Sequence, residues 1–213
     1  MNEYHKIQTC FKRDENTKQI LEGAWTLPEF EYLKDRPWVF TEKVDGTNVR
    51  VMWDGTSVVF GGKTDNASMP MFLLSRLQEI FEGTAKRRLF ASKFFNDVEP
   101  TKVCLYGEGY GAKIQSGGNY IPDGQDFVLF DVKIGDMWLE RENVVNIAET
   151  FGIKVVPVLG EGTLTEAIEM TRNGFNSVWG DFQAEGIVAR PKVELRTRRG
   201  DRIITKIKHR DFK

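Results

Sequence analysis

The sequence predicts an α+β protein built on two antiparallel β-sheets flanked by helices. From Trp38 onward, short runs rich in β-branched and aromatic residues alternate with helical patterns. Asp-Gly pairs separate the first three runs, and such pairs are typical of hairpin turns. The stretch "GEGYGAK" lacks the spacing of a dinucleotide-binding glycine fingerprint. A hairpin-based fold is therefore expected, and not a doubly wound parallel sheet.

The strand-like runs come in a clear order along the chain. They read "WVFTEKV", "TNVRVMW", "TSVVF", "KVCLYGE", "DFVLFDVKI", "KVVPVL", "EGIVAR" and "RIITKIK". Asp45-Gly46 and Asp54-Gly55 join the first three runs, because both positions of such a turn tolerate positive φ. A helix is expected from Pro70 to just before Gly83, and a second over "ERENVVNIAETF". A third, "LTEAIEMTRN", follows a capping box of Thr163 and Glu166.

Length and composition favour one domain with a small appendage. The chain has 213 residues, and residues 1–36 are polar, so we expect them to form an N-terminal segment packed on a core of residues 37–213. No apolar stretch approaches the ~18–20 residues that span a bilayer, and the polar start is not a secretory signal. Cys10 and Cys104 have no metal-binding or redox spacing, and Cys104 is expected in the core. We expect no membrane association and a cytoplasmic location.

Charge is distributed unevenly along a chain whose net charge is −1. Residues 190–213 hold ten Lys or Arg against three acids, a local net charge of +7. Such a stretch suits contact with a polyanion. A solvated pair of strands explains it equally well.

Charged and aromatic side chains at the ends of strand-like runs are candidates for catalysis and ligand binding. The stretch "EKVDGTN" (42–48) has two interpretations: a hairpin with an Asp-Gly turn, or a nucleophilic lysine at its mouth. Four further places carry comparable residues, namely "GGKT" (61–64), "LYGEGYG" (105–111), "FVLFDV" (127–132) and "EGIVAR" (185–190) with "TKIK" (205–208). Collected around one site, they would suit a nucleoside triphosphate. Each residue alone also has an ordinary structural explanation, such as a core Phe or a solvated strand lysine.

In this order the motifs resemble the lysine-nucleotidyltransferase superfamily of ATP-dependent ligases and mRNA capping enzymes, and most closely the RNA ligase 2 class. The resemblance covers roughly residues 38–208. It implies a nucleotidyltransferase (ATP-grasp-like ligase) fold for an adenylyltransferase domain over residues 37–213. It also implies ATP as AMP donor, Mg²⁺ or Mn²⁺, and a nucleic acid, preferably RNA, with 5′-phosphate and 3′-OH ends. "KVDG" would then be a hairpin whose lysine is also the nucleophile.

The resemblance implies a role for each matched residue. Lys43 would attack the α-phosphate of ATP and carry AMP covalently, and Asp45 would orient Lys43 or a metal-bound water. Lys206 and Lys208, on one strand face, would hold phosphate and lower the pKa of Lys43. Contacts with ATP are implied for Glu42, Asn48, Lys63, for Glu108 through the ribose, and for Phe130 through adenine, with Phe127 as an alternative. Metal binding is implied for Glu185 and Glu108.

This sequence departs from relatives at two places. Lys63 stands where many relatives have an arginine, so its phosphate contact should be less directional; Arg50 could supply a guanidinium. Relatives also append further domains, whereas five residues follow Lys208, so we expect no OB-fold. The basic 190–213 stretch or an accessory protein would compensate, and nucleic-acid binding would be strongly salt-dependent.

Other functions share the same residues. A DNA-nick ligase, a GTP-using capping guanylyltransferase and a non-catalytic nucleotide-binding module remain alternatives to an RNA ligase. NAD as AMP donor is disfavoured because no nicotinamide-binding domain is apparent before Lys43. A role in RNA repair and a phage origin are expectations from the family alone.

Overall fold

A computed structural model describes residues 3–94 and 101–213, so residues 1–2 of the predicted N-terminal segment and residues 95–100 of the predicted domain lie outside it. The strands are β1 (Gln8–Thr9), β2 (Phe11–Arg13), β3 (Ile20–Trp25), β4 (Trp38–Glu42), β5 (Thr47–Trp53), β6 (Val58–Gly61), β7 (Val103–Gly111), β8 (Gln125–Ile134), β9 (Met137–Trp138), β10 (Lys154–Val155), β11 (Val158–Gly162), β12 (Gly186–Pro191) and β13 (Thr205–Lys208). The helices are α1 (Pro28–Leu33), α2 (Met71–Phe81), α3 (Thr84–Phe94), α4 (Arg141–Phe151) and α5 (Leu164–Asn173), with 3₁₀ turns at Gly117–Asn119 and His209–Phe212. The predicted α+β class with mainly antiparallel sheets is confirmed.

The described chain divides into two compact units. The first unit contains Tyr4 and Asp45–Val156, and the second contains His5–Val44 and Pro157–Lys213. The chain therefore passes from one unit to the other three times, and one passage comes immediately after Val44.

The first unit is a six-stranded sheet in the order β10-β8-β7-β5-β6, with β9 paired to β8. Its neighbours are antiparallel except for the parallel β10–β8 pair. One face packs against α2, α3 and α4, and the core there contains alternate residues of β5 such as Val49 and Val51. Because strand side chains alternate between faces, Asn48, Arg50 and Met52 point to the opposite face.

Two glycines in β7 allow this unit to pack closely. A Cβ on Gly107 would lie 2.3 Å from the ring of Phe127, and one on Gly109 would lie 2.4 Å from Leu73. Glycine is therefore required at both positions on the helix-covered face. The intervening Glu108 points to the other face. The local sequence "YGEGYG" thus combines close packing on one side with a carboxylate on the other.

The second unit is a five-stranded sheet in the order β1-β13-β12-β4-β11. The β1–β13 pair is parallel and the other pairs are antiparallel. Residues from α1 and α5, including Phe30 and Leu164, pack with Trp38, Ile187 and Ile207 to form the core on one face. Beside this sheet, β2 and β3 form a two-stranded pair.

The predicted hairpin at Asp45-Gly46 is wrong. Strand β4 pairs with β11 and β12, whereas β5 pairs with β6 and β7, so the two strands belong to different sheets. Neither Asp45 nor Gly46 has positive φ. Glycine is needed at 46 for a different reason: a Cβ there would lie 2.3 Å from the carbonyl oxygen of Gly109. The predicted hairpin at Asp54-Gly55 does join the antiparallel strands β5 and β6, and Gly55 has φ +105°.

The helices bear out most of the predictions. Helix α2 begins after Pro70, α4 ends at Gly152 in the left-handed conformation, and the Thr163–Glu166 capping box opens α5. Helix α3 was not predicted, because its sequence "TAKRRLFASKF" buries only two residues fully and shows no clear apolar stripe.

Two strand predictions need correction. The run "KVVPVL" was predicted as one strand, but β10 pairs with β8 and β11 pairs with β4, so the run is divided at Pro157 between two sheets. The N-terminal segment contains β1–β3 and α1, although its sequence looks irregular. Its strands are two to six residues long, which leaves little periodic signal.

Candidate active site

Three charged side chains meet at neighbouring strand ends of the second unit. Glu185 Oε2 lies 2.8 Å from Lys43 Nζ, and Glu185 Oε1 lies 2.6 Å from Lys208 Nζ. The three side chains are between 10% and 20% exposed, so the network is only partly shielded from water. One carboxylate therefore holds two ammonium groups in place, one of them on the predicted nucleophile.

Backbone pairing fixes the positions of these residues. The Lys43 N–H donates to the carbonyl of Gly186 at 2.9 Å, which continues the β4–β12 ladder beyond its last strand residue. The carbonyl of Glu185 accepts the N–H of His209, also at 2.9 Å. Glu185 is thus held against β13 on one side, while Lys43 is held against β12.

Gly186 is indispensable for placing the preceding glutamate. Its φ is +154°, and a Cβ would lie 2.0 Å from the carbonyl oxygen of Ile207. An L-residue with a side chain fits neither that conformation nor that space. The Glu-Gly pair of "EGIVAR" therefore turns the Glu185 side chain towards Lys43 and still lets β12 pair tightly with β13.

Lys206 lies on the same face of the sheet as Lys208. The burial of β13 alternates, with Thr205 and Ile207 buried and the two lysines half-buried, as predicted. Lys43 and Lys208 place two ammonium groups against the single carboxylate of Glu185, and Lys206 adds a third cation on the same strand face as Lys208. The resulting positive potential suits a polyphosphate anion.

Glu42 is buried next to this network and bonded to the protein. It is 1% exposed, the Ser177 hydroxyl donates to Oε1, and the Val178 N–H donates to Oε2 at 3.0 Å. Burial raises the pKa of the Glu42 carboxyl, and the two hydrogen bonds oppose this only in part. Its role in ATP binding stays a prediction. Ser177 carries no local sequence signal that would identify it as a partner of Glu42.

In the first unit, Asp45 is fixed by a loop that sequence reasoning did not single out. Its Oδ2 accepts the N–H of Ser116 at 3.3 Å, and its own N–H donates to the hydroxyl of Tyr120 at 3.2 Å. Both partners lie more than 70 residues further along the chain. The carboxylate that follows the predicted nucleophile by two residues is thus oriented by long-range contacts.

Asn48 and Glu108 are direct cross-strand neighbours on β5 and β7. Asn48 Oδ1 is buried and accepts no hydrogen bond within the described residues. A buried carbonyl oxygen without a donor is costly, so this atom fits a donor that a ligand supplies. Glu108, half-buried beside it, offers a carboxylate on the same face of the sheet. The structure therefore brings these two predicted residues together.

Phe130 is half-buried and meets the ring of Tyr4 edge-on, with ring centroids 5.1 Å apart. The Tyr4 hydroxyl donates to Asp131 Oδ2 at 2.5 Å, which anchors Tyr4 to β8. Phe127, the alternative adenine contact, is fully buried under Gly107 and has no access to a ligand. The involvement of Tyr4 has no signal in the local sequence.

Lys63 is exposed in the loop after β6. That loop is held by Arg50, whose fully buried side chain donates through Nε to the Gly62 carbonyl at 2.8 Å and through Nη2 to Asp65 at 2.7 Å. We expected that Arg50 could supply a guanidinium to the site. Its guanidinium is instead bonded to this loop. The phosphate contact of Lys63 stays a prediction.

A comparison with protein-family models matches residues 36–208 to the RNA ligase family. The chain belongs to the RNA ligase family. A comparison with curated protein sequences finds no significant match.

Solved structures with the same fold include variants of Naegleria gruberi RNA ligase. One, solved with ATP and Mn, has a TM-score of 0.67 at 19% sequence identity and covers 99% of this chain and 59% of that chain. A second, also with ATP and Mn, has a TM-score of 0.65 at 19% identity, covering 97% and 61%. A third, with AMP and Mn, has a TM-score of 0.64 at 19% identity, covering 96% and 56%. This RNA ligase family member thus spans about three fifths of the length of the structures it matches.

The carboxylates that the structure describes in this RNA ligase family member do not form a protein-only metal cage. Among residues 3–94 and 101–213, no group of three or more His, Cys, Asp or Glu side chains could hold a metal ion. Hard divalent cations commonly complete their oxygen shell with substrate phosphates and water. Glu185, with its partly accessible carboxylate, fits a cation shared with a polyphosphate.

Across the same described ranges, no helix is both long and apolar enough to cross a bilayer.

Proposed function

We propose that this chain is an ATP-dependent RNA ligase whose nucleophile is Lys43. The observation that carries the proposal is the Lys43–Glu185–Lys208 network, at strand ends that lie within the matched RNA ligase region. The site combines a lysine, a carboxylate within hydrogen-bond distance of its Nζ, and two further lysines on β13, one of them bonded to that carboxylate. A covalent nucleotidyltransferase needs each of them.

In the first step, Lys43 Nζ attacks the α-phosphorus of ATP. A P–N bond forms, the bond between the α-phosphorus and the bridging oxygen breaks, and pyrophosphate leaves with that electron pair. Lys43 must first lose a proton, because an ammonium group has no lone pair. Glu185 Oε2, at 2.8 Å from Nζ, is positioned to accept it.

Lys206 and Lys208 stabilise the negative charge that develops on the phosphates. Mg²⁺ or Mn²⁺, when bound with ATP, would neutralise the α-phosphate and the leaving pyrophosphate. Glu185 would contact that ion, and Glu108 is the second proposed metal contact.

In the first unit, Asn48 Oδ1 and the Glu108 carboxylate would accept hydrogen bonds from the nucleoside, with Glu108 bonded to a ribose hydroxyl. Phe130 would stack on the adenine ring. The buried Asn48 oxygen supports this assignment, because no group within residues 3–94 and 101–213 donates to it and a nucleoside could.

The remaining two steps join RNA ends. AMP passes from Lys43 to a 5′-phosphate, which breaks the P–N bond and forms a 5′–5′ phosphoanhydride. A 3′-hydroxyl then attacks the activated phosphate, forming the phosphodiester and releasing AMP. The proposed biological role is the repair of RNA breaks.

Intact-mass spectrometry after incubation with ATP and Mg²⁺ or Mn²⁺ tests the first step. The wild type should gain one adenylyl group, Lys43→Ala should gain none, and Lys12→Ala, a change at an exposed strand lysine, should behave like the wild type. If the wild type gains no mass with either metal, the proposal fails. A gain with GTP in place of ATP would indicate a guanylyltransferase instead.

Nicked and single-stranded substrates then separate the ligase classes. An RNA ligase joins a 5′-phosphate to a 3′-hydroxyl on RNA and joins all-DNA ends poorly. Efficient sealing of an all-DNA nick, with weak activity on RNA, would assign the chain to DNA repair.

A further inference from the structure

A 13-residue loop connects β12 to β13, the strands that follow Glu185 and carry Lys208. The loop covers residues 192–204 and contains an ordered hairpin-like end, because Arg196 and Arg202 form a β-bridge. The Ile203 N–H also donates to the Leu195 carbonyl at 2.9 Å. The end of this loop is therefore a defined structure.

At the tip, residues 197–200 form a tight turn with the sequence "TRRG". The Gly200 N–H donates to the Thr197 carbonyl at 2.9 Å, and the Thr197 N–H donates to the Asp201 carbonyl at 2.8 Å. Gly200 has φ +87°, as a residue after a type I turn requires in a three-residue hairpin loop. The Arg199 N–H donates to Thr197 Oγ1 at 3.3 Å. Arg198 and Arg199 thus occupy the two central positions of a turn with fixed backbone.

The other cations of the loop have ion-pair partners. Glu194 accepts Arg202 Nη2 at 2.9 Å and Arg196 Nη2 at 3.4 Å. Lys192 pairs with Glu161 at 2.6 Å. These contacts stabilise the base of the loop, because the Arg202 side chain is 4% exposed and could not remain charged there without a partner.

Arg198 and Arg199 differ from the other cations of the loop. Both are exposed, and neither guanidinium has an ion-pair partner among the residues that the structure describes. Two adjacent guanidiniums on a preordered turn present planar donor pairs that match phosphate oxygens. Because the turn is already ordered, binding would cost little backbone entropy.

We propose that the Arg198–Arg199 turn docks the phosphate backbone of the RNA strand at a distance from the reacting ends. This inference rests on the proposed function, since it assigns a surface to the substrate of that reaction. The turn holds and orients the strand and takes no part in bond formation.

The register of the hairpin sets that distance. Gly186 pairs with Lys208 at the active-site end, and Ala189 pairs with Thr205 three residues further on. At ~3.3 Å per strand residue the loop begins about 10 Å from Lys208, at the end of the strand pair opposite the active site. The turn therefore contacts phosphates several nucleotides from the break, and only strands long enough to reach it benefit.

The test compares Arg198→Ala/Arg199→Ala with Arg87→Ala/Arg88→Ala, which removes two adjacent exposed arginines from α3. Binding of a long 5′-phosphorylated RNA is measured by fluorescence anisotropy over a salt series. The turn variant should bind about tenfold more weakly at low salt. The slope of log K against log salt should be shallower by about 1.4, because each single-strand phosphate contact contributes about 0.7. The α3 variant should keep the wild-type slope.

A third variant, Arg198→Lys/Arg199→Lys, separates charge from geometry. It should retain the salt slope but bind more weakly than the wild type, because lysine cannot form the forked contact. Joining of a long strand should suffer in the alanine variant at subsaturating RNA, whereas joining of a 5′-phosphorylated dinucleotide should not.

An unchanged salt slope in the Arg198→Ala/Arg199→Ala variant would overturn the docking proposal. An equal loss of RNA affinity in the α3 variant would overturn it too. The proposal would also fail if the alanine variant lost as much joining activity with the dinucleotide as with the long strand. Lysyl-AMP formation, which involves no RNA, is measured in the same preparations. Its absence in the wild type would reject the proposed function, whereas a normal yield with an unchanged salt slope would reject only the docking surface.

Discussion

Glu185 Oε2 lies 2.8 Å from Lys43 Nζ, although 142 residues separate the two in the chain. The same carboxylate contacts Lys208 through its other oxygen. Glu185 thus lowers the cost of holding two ammonium groups at one carboxylate, and it is a proton acceptor within hydrogen-bond distance of the proposed nucleophile.

Replacing Glu185 with glutamine should slow lysyl-AMP formation by roughly 10²-fold, because the nucleophile loses its proton acceptor. The same change should lower the free energy of unfolding by about 1 to 3 kcal/mol, since two ammonium groups lose a shared charged partner. Single-turnover adenylylation and urea denaturation measure the two effects. Glu161→Gln is the matched control, because its ion pair with Lys192 is exposed and should contribute little. Equal effects of both variants would contradict the assigned role.

Glu42 should make stability depend on pH in a defined direction. Burial raises its pKa in the folded state above that of the unfolded chain. The folded state therefore holds the proton more tightly, and the resulting stabilisation is fully present below the unfolded pKa and is lost as pH rises through the folded pKa. The wild type should gain stability relative to Glu42→Gln as pH falls from 7 towards 5. Urea midpoints at several pH values test this, and parallel curves for the two proteins would refute it.

Both thiols should resist modification in the folded protein. Burial raises the pKa of Cys10 to about 12 and that of Cys104 to about 11. At pH 8 a thiol with a pKa of 11 is ionised in roughly one molecule in a thousand, and the thiolate is the reactive form. A colorimetric thiol reagent should label neither cysteine in native buffer and both in denaturant. Rapid labelling of either native thiol would show that its site opens readily.

Gly186→Ala should disrupt the second unit, because the new Cβ would meet the Ile207 carbonyl at 2.0 Å. We expect a loss of more than about 3 kcal/mol, or a failure to fold. Gly160→Ala provides the control, since Gly160 has nearly the same φ, +157°, but no atom within 4 Å of the added Cβ. Its cost should be confined to conformational strain of about 1 to 2 kcal/mol. Chemical denaturation compares the two, and equal losses would assign the whole effect to φ.

The sequence predicts well what short-range periodicity controls. Alternation in "TKIK" placed Lys206 and Lys208 on one face, and the cap of Thr163 with Glu166 placed the start of α5. The sequence predicts poorly what depends on distant partners. Asp45-Gly46 has the composition of a hairpin turn, yet Gly46 is required by the backbone of β7, and the strands on either side join different sheets. The same limit applies to Ser177 beside Glu42 and to Tyr120 beside Asp45, because neither contact has a local signature.

The long separation between Lys43 and its partners has a consequence for protein synthesis. The ribosome makes Lys43 early, whereas Glu185, which immediately precedes β12, and Lys208, which ends β13, come much later in the chain. Until β12 pairs with β4 and β13 pairs with β12, the Lys43 side chain lacks its Glu185 partner. The proposed adenylylation of Lys43 therefore requires that β12 and β13 have been translated and paired.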